Sequence, residues 1–325
     1  MKRILLLTTG GTIASQKGDR GLVPTLHGAE IITRLQEGYP RYQFDFEDLM
    51  DLDSSNIQPE EWKLMARRVY AALPDYNGII ITHGTDTMAY TASMLSFMLQ
   101  GLPIPVVVTG SQFPIAYPDS DGRVNLRDSI IAARSLPGGV YICFGGSIIL
   151  GCRAVKVRTT SQNAFESVNA PYVGVVANGR FVPLDLPAKK QQAHFAVNDN
   201  IESNVALVKL IPGTTPELFH ALPGCGYKGL VVEAFGLGGV HSIRRDHTDA
   251  LVRLMKGGMP VVLCSQCLYE QSTPNVYGVS RALADAGIVS AGDMTTEAAV
   301  TKLMWVLGQT SSMGEVSAMM LQNMC

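Results

Sequence analysis

Ile4-Leu5-Leu6-Leu7-Thr8-Thr9-Gly10-Gly11-Thr12-Ile13-Ala14-Ser15 opens as an apolar run and closes on glycines and hydroxyls. A second stretch repeats the plan, with Gly78-Ile79-Ile80-Ile81 leading into Thr82-His83-Gly84-Thr85-Asp86-Thr87-Met88. Short apolar runs bounded by turn residues read as strands covered on both faces, as in a parallel sheet. Open α/β sheets bind ligands beyond the carboxyl ends of such strands. The two stretches thus bring threonine hydroxyls, backbone N–H groups and the Asp86 carboxylate to one crevice. That set points to an enzyme of covalent acyl transfer with a threonine as nucleophile.

The same alternation extends outward. Strand-like runs at 4–8, 44–49, 78–82, 105–109 and 140–144 are interleaved with helical patterns at 28–36, 59–73, 87–99 and 124–135. Such βα repetition predicts a doubly wound, mostly parallel sheet in a larger N-terminal catalytic domain, residues 1–185. Residues 186–203 lose apolar periodicity and read as a linker. A smaller C-terminal α/β domain over 204–325 is expected to hold strands at 204–211, 229–234 and 260–264. Its helices are expected at 244–256, 279–286, 295–307 and 314–323.

Composition narrows the function. The chain has 325 residues, 46% of them hydrophobic and 17% charged, which fits two globular cores without a disordered tract. With 26 Lys and Arg against 28 Asp and Glu, nothing favours nucleic acid or an anionic membrane as partner. No apolar run is long enough to span a bilayer, and the one after Met1-Lys2-Arg3 is too short for a secretory leader, so a cytoplasmic protein is expected. Cys143, Cys152, Cys225, Cys264, Cys267 and Cys325 have no framework spacing and read as free thiols. The six histidines show no metal-ligand spacing, and none is assigned a catalytic role. No nucleotide-binding glycine motif occurs, and no cofactor or metal is expected.

A threonine nucleophile needs a base, a route for its proton and donors for the oxyanion. Gly10-Gly11-Thr12 offers a tight turn with Thr12 at its apex. Thr85-Asp86 adds a hydroxyl beside a carboxylate, and Lys156 in Arg153-Ala154-Val155-Lys156 offers an amine to relay the proton. Each element also has a structural reading. The glycine turn serves equally as a βα connection, and Thr85, Asp86 or Thr87 as caps of the following helix. Lys156 reads equally as a solvated lysine. Asp51-Leu52-Asp53-Ser54-Ser55-Asn56 reads equally as a polar turn before Pro59. The weight lies in four such clusters, at least three of them at strand ends of one sheet.

Taken together, Thr9 to Ile13, Thr82 to Ser93, Val108-Thr109-Gly110-Ser111-Gln112, Ser120 to Leu126, Arg153 to Lys156, Ser265-Gln266-Cys267 and Asp293 to Ala298 resemble the bacterial asparaginase/glutaminase family, and within it the cytosolic type I branch. The resemblance covers nearly the whole chain. It implies hydrolysis of L-asparagine to L-aspartate and ammonia without a cofactor. Thr12 matches the family's nucleophile, and Thr85, Asp86 and Lys156 match its second catalytic set. Asp53, Ser54 and Ser55 match the segment that binds the α-amino and α-carboxylate groups, with Thr85, Asp86 and Ser111 as further substrate contacts. The resemblance also implies a homodimer or dimer of dimers, with each site between the N-terminal domain of one protomer and the C-terminal domain of its neighbour.

Two positions depart from the pattern. Leu22 stands where many members carry a loop tyrosine, which leaves Tyr277 as the candidate phenol. Ser265 and Cys267 match an effector segment of some members, but Ala234 replaces the arginine of that site, so they are expected to be an effector-site remnant. Three alternatives remain: glutamine as substrate, the amide of a charged tRNA, or a catalytically silent amino-acid-binding protein. The near-neutral charge disfavours tRNA, and retention of Thr12, Thr85, Asp86 and Lys156 disfavours silence.

Overall fold

The computed structural model describes residues 3–11, 13, 15–18, 21–24, 43–187, 195–273 and 283–324. The chain divides into two compact units after Asp199. Each is an α/β unit with its own sheet.

In the first unit, an eight-stranded sheet begins with β1 (Arg3–Gly10), flanked by β4 (Gln43–Leu52) on one side and β5 (Gly78–Thr82) on the other. β6 (Pro105–Thr109) and β7 (Gly139–Phe144) continue the sheet beyond β5, and these five strands are all parallel. Because the chain passes from one side of β1 to the other, a crevice opens at the carboxyl ends of β1, β4 and β5. The residues explain the parallel core. Ile4 to Leu7, Ile79 to Ile81 and Val106 to Val108 are all 1% exposed or less, as strands covered on both faces require. The covering helices include α1 (Pro59–Ala72), α2 (Met88–Met98) and α3 (Gly122–Ser135). Helix α1 starts at a proline, with Glu61 Oε2 accepting the Gln58 N–H at 2.8 Å in a reciprocal cap.

The sheet is completed by antiparallel strands that the sequence pattern did not assign. These are β8 (Ser147–Leu150), β11 (Gly174–Ala177) and β12 (Arg180–Pro183). Two short hairpins accompany them: β2 (Ser15–Gly18) with β3 (Gly21–Pro24), and β9 (Ala154–Lys156) with β10 (Phe165–Ser167). Strands of three or four residues carry too few alternations to be read from pattern alone. In the β2–β3 hairpin, Leu22 pairs with Lys17.

The second unit holds the parallel sheet β13 (Val205–Lys209), β14 (Gly229–Ala234), β15 (Val261–Ser265) and β16 (Val289–Ser290), in that order. Around it lie α4 (Glu217–Ala221), α5 (His247–Lys256), α6 (Thr296–Gln309) and α7 (Met313–Leu321). The core gathers Leu230, Val232, Leu251 and Leu263 with Phe219. Helix α5 starts later than expected: Arg245 takes φ 53°, and the Asp246 side chain accepts the Thr248 N–H at 2.8 Å as N-cap.

The expected helix at 28–36 lies outside the described residues, as do residues 279–282 of the one at 279–286, whose residues 283–285 are helical. The described part of the expected linker, 195–203, has no helix or strand. Among the described residues, no helix is long and apolar enough to cross a membrane, and no group of three or more His, Cys, Asp or Glu side chains is placed to hold a metal ion. Cys143 and Cys264 are free and buried, and Cys225 and Cys267 are free and exposed. Cys152 is disulfide-bonded, which corrects its reading as a free thiol.

Candidate active site

Four strand ends meet within van der Waals contact, and glycines make the approach feasible. Gly11, at φ 75°, lies so close to the β5 turn that a Cβ there would sit 2.5 Å from the Gly84 nitrogen. A Cβ on Gly84 would come within 2.6 Å of the Ser54 Oγ, and one on Gly110 within 2.2 Å of the His83 carbonyl oxygen. The segments after β1, β5 and β6 thereby approach through their backbones, and the Ser54 side chain after β4 packs directly on Gly84. Hydrogen bonds lock the stack. Gly11 N–H donates to Leu52 O at 2.9 Å, Thr9 Oγ1 to Thr82 O at 2.8 Å, and His83 N–H to Thr109 O at 2.8 Å.

Above this stack, the structure brings together Thr85, Asp86 and Lys156. The Lys156 Nζ donates to Thr85 Oγ1 at 2.8 Å and to Asp86 Oδ1 at 2.6 Å. Thr85 is buried, and the Lys156 side chain is only 18% exposed, whereas that of Asp86 is 65% exposed. Lys156 ends β9, and the chain leading into that strand is packed on α2: Ser93 Oγ donates to Gly151 O at 3.3 Å, and a Cβ on Gly151 would strike Ser96 Oγ at 2.7 Å. The α2 face therefore aims the lysine at the turn that starts α2.

The 53–55 segment has a double occupation. Asp53 caps a single 3₁₀ turn, accepting the Ser55 N–H at 2.8 Å and the Ser55 hydroxyl at 2.6 Å. The Ser55 hydroxyl, then its N–H, hold the Asp53 carboxyl below the usual aspartate range. Buried Ser54 supports the β5 turn instead. Its carbonyl accepts the Thr87 hydroxyl at 2.7 Å, and its Oγ accepts the Asp86 N–H at 3.3 Å. Ser111, also buried, donates to Phe113 O at 2.6 Å.

Thr12 and Tyr277 lie outside the described residues. The residues flanking Thr12, Gly11 and Ile13, are both buried. Ser265 and Cys267 belong to the second unit, where Ser265 Oγ donates to Gly236 O at 2.7 Å and accepts the Cys267 N–H at 2.9 Å. That pair closes a turn at the end of β15, next to buried Ala234 on β14.

Sequence reasoning did not single out two supports of the site. Asp121 does not cap α3 with its side chain. Its carboxylate accepts the N–H groups of Gln112 and Phe113 at 3.0–3.1 Å and the Asn125 amide at 3.1 Å. Asn125 also donates to Gly110 O at 2.9 Å, fixing the turn after β6. The Asp/Asn pair four residues apart at a helix start was the available signal. The second support is His83, fully buried beneath the β5 turn.

Comparison with known proteins identifies the family. The family model "Asparaginase, N-terminal" matches residues 3–186, and "Glutaminase/Asparaginase C-terminal domain" matches 204–320. An L-asparaginase of Thermococcus kodakarensis is 38% identical over 99% of this chain and 97% of its own length, and its structure superposes with a TM-score of 0.93. The structure of L-asparaginase I from Vibrio cholerae is 32% identical, covering 99% of this chain and 97% of that one, with a TM-score of 0.88. One component of the glutamyl-tRNA(Gln) amidotransferase of Methanobrevibacter smithii is 36% identical over 99% of this chain and 76% of its own length. With both family models matched in order along one chain, the protein belongs to the asparaginase/glutaminase family of amidohydrolases.

Proposed function

We propose that the protein hydrolyses L-asparagine to L-aspartate and ammonia through an acyl-enzyme on Thr12. The Thr12 oxygen attacks the side-chain amide carbon, and the amide nitrogen leaves as ammonia carrying the hydroxyl proton. Water then cleaves the ester, restoring the Thr12 hydroxyl and freeing aspartate. The observation that carries this reading is the Lys156 ammonium held by both Thr85 and Asp86 at the carboxyl end of β5. Thr85 activates the water, its hydroxyl proton passing to Lys156 Nζ as that ammonium releases one of its own protons to Asp86 Oδ1. The Asp86 carboxylate, held by Lys156 yet largely exposed, meets the substrate α-ammonium, and Asp53, Ser54 and Ser55 bind its α-amino and α-carboxylate groups with Ser111 as a further contact. In this reading the enzyme works without a cofactor, in the cytoplasm, as a homo-oligomer in which Tyr277 supplies the phenol that Leu22 does not.

The amidotransferase relatives favour a second reading, the same chemistry on glutamine or on an amidated tRNA. Ammonia release from asparagine and glutamine side by side tests both. Asparagine is the expected preferred substrate, and Thr12→Ala is expected to lower kcat by several powers of ten while substrate still binds. A Thr12→Ala protein retaining more than a few per cent of the rate would move the nucleophile to Thr85. Faster turnover of glutamine would replace the asparagine assignment.

A further inference from the structure

We propose that His83 is a positioning residue of this site: its imidazole, locked in one tautomer by Thr91 and Trp62, sets the orientation of the Gly84–Thr85 peptide and so presents Thr85 and Asp86 to Lys156. The proposal rests on the reading of Thr85, Asp86 and Lys156 as the reacting set.

The protons in this network follow from its two ends. The Trp62 indole can only donate, and its Nε1 lies 2.9 Å from the Thr91 Oγ1. The Gly84 carbonyl can only accept, and His83 Nδ1 lies 2.7 Å from it, so Nδ1 carries a hydrogen. Full burial pushes His83 down to about 4, and at neutral pH its Nε2 is therefore bare. Nε2 lies 2.9 Å from Thr91 Oγ1 and accepts that hydroxyl proton. One directed chain results: Trp62 donates to Thr91, Thr91 to His83, and His83 to Gly84 O. No member is left unsatisfied, the condition under which a buried polar network rigidifies its surroundings.

The far end of the chain is where it acts. The Gly84 carbonyl and the Thr85 N–H share one planar peptide unit, so holding the oxygen fixes the plane from which Thr85 departs. The near end is anchored in two helices, Trp62 on α1 and Thr91 on α2. Trp62, Thr91 and His83 are respectively 6%, 0% and 0% exposed, so the chain is buried along its length. A side chain needed only to fill space here has no use for two directed hydrogen bonds.

Two substitutions separate the roles of the ring nitrogens. His83→Asn keeps an N–H near the Nδ1 position, whereas His83→Gln moves its amide toward the Nε2 position and releases the Gly84 carbonyl. His83→Gln is expected to lower kcat about a hundredfold with a smaller change in KM, since small misplacements of a reacting group cost that much. His83→Asn should keep a kcat at least tenfold above it. Amide exchange of residues 84–87 should accelerate in His83→Gln and not in His83→Asn. Equal kcat and equal exchange in the two folded variants would overturn the proposal, as would an NMR spectrum of labelled histidine showing His83 with its proton on Nε2. Should either variant fail to fold, Thr91 decides: Thr91→Val should lose at least tenfold in kcat and Thr91→Ser should recover it, and equal rates overturn the idea. If the unaltered enzyme releases no ammonia from either amino acid, the substrate reading fails, while the exchange and tautomer measurements still judge His83.

Discussion

Thr85 and Asp86 are neighbours in the chain, and Lys156, about seventy residues away, donates to both of them. In the proposed relay a hydroxyl and a carboxylate bridged by one ammonium act as a unit, so removing any member is expected to disable the others. Asp86→Asn and Lys156→Met are each expected to cost at least a hundredfold in kcat, and the double variant little more than the worse single one. Multiplicative losses would instead mean that Asp86 binds substrate independently of the relay. At this scale the sequence was legible where chemistry is local: hydroxyls and acids after an apolar run mark a strand end. It was not legible where a side chain is already spent. The Ser55 hydroxyl is held by Asp53, and Ser54 braces the β5 turn, two facts that require three-dimensional neighbours. His83 drew no role because the chain behind it, its partner Thr91 and then Trp62 bonded to Thr91, comes from two different helices.

Elements were legible in proportion to their length and burial. Strands β1, β5, β6 and β7 announce themselves because both faces are covered, whereas three-residue strands such as Ala154–Lys156 carry almost no pattern. Helix α3 shows a subtler limit. Its first acid, Asp121, has the position of an N-cap but turns its carboxylate back to the loop after β6, tying helix and strand together. That residue is 6% exposed and accepts from two backbone N–H groups and the Asn125 amide. Asp121→Ala takes a charged acceptor from those three donors, at an expected cost of about 2 kcal/mol in urea unfolding. Because the loop carries Ser111, KM should also rise, whereas Asn125→Asp should disturb KM by freeing Gly110 O. An Asp121→Ala protein within about 0.5 kcal/mol of the original would show that water replaces the carboxylate and that the loop holds its shape unaided.

For the molecule as a whole, two separate cores and a nearly balanced charge bear on which amide is hydrolysed. One core gathers Ile4, Leu6, Ile80 and Val107, the other Leu230, Val232 and Leu263. The charged residues number 26 basic and 28 acidic, leaving a formal net charge of −2. Such a chain has no surplus of cations to condense onto a polyanion, and its long-range field does little to attract one. A free amino acid, zwitterionic and small, needs only the local charges of the crevice, and these act over distances shorter than the screening length. For asparagine, kcat/KM is therefore expected to change by less than about threefold between 50 and 200 mM salt. Bulk tRNA added at the lower salt should leave that rate untouched. A site that neutralised six to ten phosphates would lose roughly a thousandfold or more in affinity over the same range. Inhibition by tRNA that disappears steeply with salt would thus overturn the free-amide assignment and make an aminoacyl-tRNA the substrate to test next.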